Sequence, residues 1–184
     1  MIVMKFGGTS VGNAERVRKT AEIIKSNLER KPVVVVSALA KITDALTKLA
    51  NESANGNGEN TLNFIKNTHL GIIKELWLDE SLLNNDFNEL SQLVEETQDN
   101  KKIDAKALDS FQSFGERMSS KIVAAQLNKT GIGAKPFNSW DLGFLTNDDF
   151  GDAEPLEISY KNIKSNISKL DSVPVITGFI GKTE

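Results

Sequence analysis

Met1-Ile-Val-Met-Lys-Phe-Gly-Gly-Thr-Ser10 and, after one helical stretch, Lys31-Pro-Val-Val-Val-Val-Ser37 decide the fold. In the first segment the apolar run Ile2, Val3, Met4 and Phe6 stops at Gly7-Gly8, which predicts a strand ending in a tight loop. A helix follows: Asn13 is placed to cap it, Ala14 to Arg30 is rich in helix formers, and Val17, Ala21, Ile24 and Leu28 recur along one face. Pro32 is the expected stop. Val33 to Val36 is a continuous β-branched run, the pattern of a strand covered on both faces. Strand, helix and strand make a βαβ unit with a right-handed crossover, so the fold class is α/β with a parallel sheet.

Outward from this unit, a second helix is predicted over Thr43 to Asn51. Ser53-Ala-Asn-Gly-Asn-Gly-Glu-Asn60 reads as a flexible linker and a subdomain boundary. Residues 61–131 read as a mainly helical subdomain. Ile65, Ile72, Leu76 and Leu83 outline one or two helices, Phe87, Leu90 and Val94 another, and Ile103 through Leu127 a long one. Ala134 to Phe137 and Pro174 to Thr177 are later strands, with a helix over Leu156 to Leu170 between them whose stripe is Ile163, Ile167 and Leu170.

With 184 residues, 39% hydrophobic and 26% charged, the chain can bury a sizeable core. A net charge of -3 supplies no basic field for a nucleic-acid backbone or an anionic bilayer, so neither nucleic acid nor membrane is an expected partner. The absence of cysteine excludes disulfide and thiolate chemistry, and a single histidine, His69, leaves zinc with little but carboxylates. No segment approaches the roughly 18 apolar residues of a membrane span, and the first residues lack a signal-peptide run; a cytoplasmic address is expected. His69 is expected to be a surface or half-buried histidine, and Trp77 and Trp140 to be core packing rather than a stacking platform. Asp148, Asp149 and Asp152 read as a solvated acidic turn as readily as a magnesium-facing loop, so no metal ligands are assigned.

In an open parallel sheet, ligands bind beyond the carboxyl ends of the strands. Three loops sit at such ends: Gly7-Gly8-Thr9-Ser10, Ser37 to Thr43, and Gly178-Phe179-Ile180-Gly181. In the first, Lys5 precedes two glycines and two hydroxyl residues, an outline of a phosphate cradle built from backbone amides and one point charge. It is not a P-loop, because Asn13-Ala14 stands where Lys and Ser/Thr are required after Gly12. A glycine turn beside a solvated lysine would look the same.

Lys5-Phe-Gly-Gly-Thr-Ser-Val-Gly12 resembles the opening of aspartate kinases, members of the amino-acid kinase family. Ser37-Ala-Leu-Ala-Lys-Ile-Thr43 is similar to that family's second loop, Ser113-Phe-Gly-Glu-Arg-Met-Ser119 to its glutamate motif, and Gly178-Phe-Ile-Gly181 to its third loop. Thr146-Asn-Asp-Asp-Phe-Gly151 is also similar to a family segment. The resemblance spans nearly the whole chain in the right order. It differs at Lys41, where many relatives have a small residue.

The resemblance implies a three-layer α/β sandwich with a largely parallel sheet plus a helical subdomain. Residues 1–184 would be the acceptor-binding part of an incomplete kinase domain, whose nucleotide lobe and regulatory domains lie outside this sequence. It implies phosphoryl transfer from ATP, with magnesium held by the nucleotide, to the side-chain carboxylate of aspartate, the first step toward lysine, threonine and methionine. A homo-oligomer is implied for the full-length enzyme, and negligible turnover for these residues alone.

By resemblance Lys5 would be catalytic, with Phe6, Gly7, Gly8, Thr9 and Ser10 at the phosphates. Ser37, Thr43, Glu116 and Phe179 would bind aspartate, Glu116 through its ammonium and Phe179 through its backbone. From position alone, Glu116 reads as an exposed helix glutamate paired with Arg117 or Lys121, and Thr43 as a helix N-cap. Other acceptors within the family (acetylglutamate, carbamate, a nucleotide) and a non-catalytic partner subunit are the competing readings.

Overall fold

The computed structural model describes residues 1–183. Strand β1 (Ile2–Phe6) leads through a 3-10 turn at Gly8–Ser10 into helix α1 (Ala14–Lys25), and β2 (Pro32–Val36) completes the first βαβ unit. Asn13 caps α1 as expected, its side chain accepting from the Arg16 N–H at 2.9 Å. The helix ends sooner than its composition predicts. Ser26 and Asn27 bond back to the carbonyls of Glu22 and Ile23, the competition with the helix ladder that short polar side chains offer. Leu28–Arg30 becomes a 3-10 turn, Lys31 turns left-handed at φ 50°, and Pro32 is the first residue of β2 rather than the stop of a helix.

Four helices come next in the chain: α2 (Ile42–Ala54), α3 (Glu59–Glu75), α4 (Asn84–Asn100) and α5 (Ala105–Lys129). Then β3 (Ala134–Phe137), α6 (Ile158–Ile167) and β4 (Val173–Thr177) close the described chain. The expected flexible linker is a packed helix–helix turn. Ser53 is buried, Glu52 accepts from the Thr61 hydroxyl at 2.5 Å, and a Cβ on Gly58 would lie 2.9 Å from the Ser53 hydroxyl. Glycine at 58 is therefore a matter of space between helices.

The sheet is parallel throughout, in the order β1-β2-β4-β3. Its register places Phe6, Val36 and Thr177 in one row. The loops after β1, β2 and β4 therefore leave at the same level on the same side. One face carries Phe6, Val34, Val36 and Val175 into the main core, where they meet Val17, Ala21 and Ile24 of α1 and Met118, Ile122 and Val123 of α5. On the other face Val33 and Ile176 pack with Leu142 and with partly buried Phe137, Ile167 and Leu170 from the α6 side. This cover does not extend over Val3, which is 67% exposed on edge strand β1. The three-layer α/β class is thus borne out.

Helices α3 and α4 stack on α2 and α5, and the same core continues through Leu46, Leu49, Ile65, Ile73 and Leu90. Between them Asp86 is fully buried, with Lys121 Nζ at 2.6 Å and Arg117 Nη2 at 3.5 Å. A buried carboxylate needs such partners. Three placements depart from expectation. His69 is fully buried, its Nδ1 2.8 Å from the Ile65 carbonyl, with the Phe87 ring of α4 edge-on to it at 6.4 Å between centroids. Trp77 is 84% exposed in a left-handed turn at φ 54°, as the C-terminus of α3 is closed by Lys129 donating to the Leu76 carbonyl at 2.5 Å. Trp140 is only half-buried.

Candidate active site

Alternation along β1 sends Phe6 into the core and Lys5 to the opposite, exposed face. Gly7 is extended at φ -75°, so the loop does not use glycine for left-handed backbone. The need is space. A Cβ on Gly8 would sit 2.7 Å from the Ala38 carbonyl oxygen, and Ala40 N–H donates to the Gly8 carbonyl at 3.1 Å. Thr20 and Arg16 of α1 tie down the carbonyls of Ser10 (2.9 Å) and Thr9 (2.5 Å).

The second loop is held as firmly. Ser37 N–H donates to the Phe6 carbonyl at 3.1 Å, the Ser37 carbonyl accepts from the Ser119 hydroxyl at 2.7 Å, and Ala38 N–H donates to Glu116 Oε1 at 3.1 Å. Gly115 permits this. Its missing Cβ would lie 2.5 Å from the Ala38 Cβ, so α5 can press its backbone against the loop. Glu116 is 6% exposed, and burial pushes its carboxyl pKa up from the ordinary value while the Ala38 amide pulls the other way. It is not a surface glutamate paired along its helix, for Arg117 and Lys121 are turned to Asp86.

The third loop begins with Gly178 N–H donating to the Val36 carbonyl at 2.8 Å and continues through Phe179 in a left-handed conformation at φ 59°. The Phe179 ring is 85% exposed, and Lys5 Nζ lies 4.7 Å from its centroid. Beyond it the Ser139 hydroxyl donates to the Ile180 carbonyl, and Thr146 Cγ2 fills the space of a Cβ on Gly181.

The structure thus brings Lys5, the Gly7-Gly8 turn, Ser37, Glu116 and Phe179 to one rim. Thr43 follows directly on the second loop. It is exposed in the first turn of α2, whose N-cap is Lys41 at φ 70° rather than Thr43, and it shares no hydrogen bond with those residues. Asp148, Asp149 and Asp152 lie in an exposed turn closed by the Asp152 N–H to Asp149 carbonyl bond at 3.0 Å. The sequence motifs contain Ala38, Gly115 and Ser119, yet no role is read for any of them. Gly115 was findable, since a glycine inside an otherwise helical run signals a close approach.

The model of the Amino acid kinase family matches residues 1–184. This chain belongs to the amino acid kinase family. Within it, the chain is 36% identical over 189 residues to Aspartokinase 2, chloroplastic, of Arabidopsis thaliana, covering 98% of this chain and 35% of that protein. It is 28% identical to Aspartokinase 3 of Bacillus subtilis over 188 residues, 98% of this chain and 40% of the relative. The E. coli aspartokinase III structure in complex with aspartate and ADP (R-state) superposes with a TM-score of 0.87 at 26% identity, over 100% of this chain and 42% of the other. The family member described here therefore spans about a third of the length of the first of these relatives.

Proposed function

We propose that the protein carrying this chain is an aspartate kinase, transferring the terminal phosphoryl group of ATP to the side-chain carboxylate of aspartate. The observation that carries the reading is the shared row of Phe6, Val36 and Thr177, which sets exposed Lys5 and the loops after β1, β2 and β4 on one rim, with the buried Glu116 carboxyl bonded to the Ala38 amide there. The names of the similar proteins support it.

The chemistry suits this rim. Aspartate's side chain, with a free pKa of about 3.9, is already anionic at neutral pH, so no general base is needed. The obstacle is repulsion between two anions. Lys5, with the amides of Gly7 and Gly8 and the adjoining Phe6, Thr9 and Ser10, would offset charge spreading over the transferring phosphoryl oxygens. Glu116 would receive the acceptor's ammonium, which relieves the cost of its own buried charge. Ser37 and Thr43 would donate to the acceptor's carboxylates, with Phe179 contributing backbone. Magnesium would travel on the nucleotide; among the described residues no three acidic or histidine side chains gather to hold a metal.

The cytoplasmic address and a homo-oligomeric assembly belong to this same reading. Among the described residues no helix is long and apolar enough to cross a membrane.

In the intact protein, Lys5→Met is expected to lower kcat by at least about a hundredfold, since one lost transition-state donor costs on the order of 2.7–4 kcal/mol. Its urea unfolding curve should match the parent. Succinate, which lacks the ammonium, should be a poor acceptor, and Glu116→Ala should narrow the gap between aspartate and succinate. Near-parental turnover by Lys5→Met would overturn the proposal.

A further inference from the structure

We propose that the Phe179 side chain is a positioning residue that holds the Lys5 ammonium over the phosphoryl site, an inference that rests on the reading of Lys5 above. Neither of the usual reasons for a phenylalanine applies at 179. Its ring is 85% exposed, so burial contributes little, and its backbone at φ 59° is one that glycine adopts without strain. Glycines stand on either side at 178 and 181, yet position 179 carries a ring.

The loop holds the backbone that carries that ring in a fixed place. Gly178 is bonded to the Val36 carbonyl at 2.8 Å on one side, and the Ser139 hydroxyl binds the Ile180 carbonyl on the other. A Cβ on Gly178 would lie 3.1 Å from the Val36 oxygen, so the hinge sits flat on β2. Lys5, by contrast, has a flexible four-carbon stem and forms no salt bridge among the described residues. Its ammonium lies 4.7 Å from the ring centroid, within the range at which the negative face of an aromatic ring attracts a cation.

An ammonium has three N–H donors, and the ring occupies only one flank. The others stay free for phosphoryl oxygens beside the Gly7-Gly8 turn. The ring also keeps water off that flank, which strengthens the attraction between the ammonium and a phosphoryl oxygen. Held this way, Lys5 begins each turnover in place rather than sampling solvent.

The test is a fluorine series at 179 in the intact protein: 4-fluoro-, 3,5-difluoro- and 3,4,5-trifluorophenylalanine, which drain the ring face at nearly constant shape. The expected result is a stepwise fall in kcat, reaching roughly two- to fivefold, with KM for aspartate unchanged. Phe179→Leu should fall at least as far, and Phe179→Tyr should stay closer to the parent. By NMR, the Lys5 ε-methylene protons should be shifted upfield by the ring current in the parent and return to the ordinary lysine position in Phe179→Leu. Turnover that is flat across the series while Lys5→Met is inactive overturns the positioning role alone. Turnover retained by Lys5→Met overturns both this role and the reading beneath it, and an unshifted ε-methylene shows that the contact does not form in solution.

Discussion

Glu116 is the residue at which function and stability pull apart. Its carboxyl pKa is raised by burial, so it sits above the unfolded value of 4.5. A group shifted in that direction stabilises the fold below pH 4.5, and that contribution is lost as pH rises through the folded pKa. At pH 7 burying this carboxyl is therefore a cost that substrate, not folding, relieves. Glu116→Gln keeps an oxygen for the Ala38 amide and removes the charge. Its thermal midpoint at pH 7 should equal or exceed the parent's, the advantage should vanish as pH approaches 4.5, and aspartate binding by calorimetry should be lost. A variant less stable than the parent at pH 7 would contradict this account. The burial was not legible in the sequence, where Ser113-Phe-Gly-Glu-Arg-Met-Ser119 allows Glu116 either face of a helix.

At the scale of elements, two glycines inside helices should respond oppositely to the same change. Gly71 lies on the exposed side of α3 with nothing within 4 Å of its missing Cβ, so Gly71→Ala should stabilise the chain by about 0.5–1 kcal/mol. Gly115 in α5 has the Ala38 Cβ 2.5 Å from that position. There the helix-propensity gain is outweighed by overpacking, and Gly115→Ala should cost about 1–3 kcal/mol net while raising KM for aspartate, because the Ser37–Ala38 segment must move. Urea unfolding of both variants and initial rates of the second test the contrast. Strands and long helices were readable from apolar period alone. The early end of α1 was not, since Ser26 and Asn27 act by local hydrogen bonds that periodicity ignores. The turn after α2 misled because asparagine and glycine mark a tight helix connection as well as a mobile linker.

For the whole molecule, the buried layer between α3, α4 and α5 should set the acid limit of stability. Burial lowers the His69 pKa to about 4, only partly opposed by its bond to the Ile65 carbonyl and by the charge of Asp86. As pH falls below 6.5 the unfolded chain takes up a proton that the folded chain refuses until about 4, so stability falls through that window. The full loss is about 3 kcal/mol, and about 2 kcal/mol of it should appear between pH 7 and 5. His69→Leu should lose correspondingly less over that interval by urea unfolding; a parallel pH dependence in both proteins would remove His69 as the cause.

The sequence by itself determined the class of fold, the order of elements and the motifs at three strand ends, because apolar period, glycine and proline act within a few residues of chain. Only the tertiary structure decided which of those motifs share a rim, that Glu116 and His69 are buried, that Trp77 is not, and that Lys5 meets the Phe179 ring. Burial and charge pairing depend on neighbours tens of residues away. Those neighbours arrive only when the parallel register aligns Phe6, Val36 and Thr177 and α5 closes its Gly115 backbone onto Ala38.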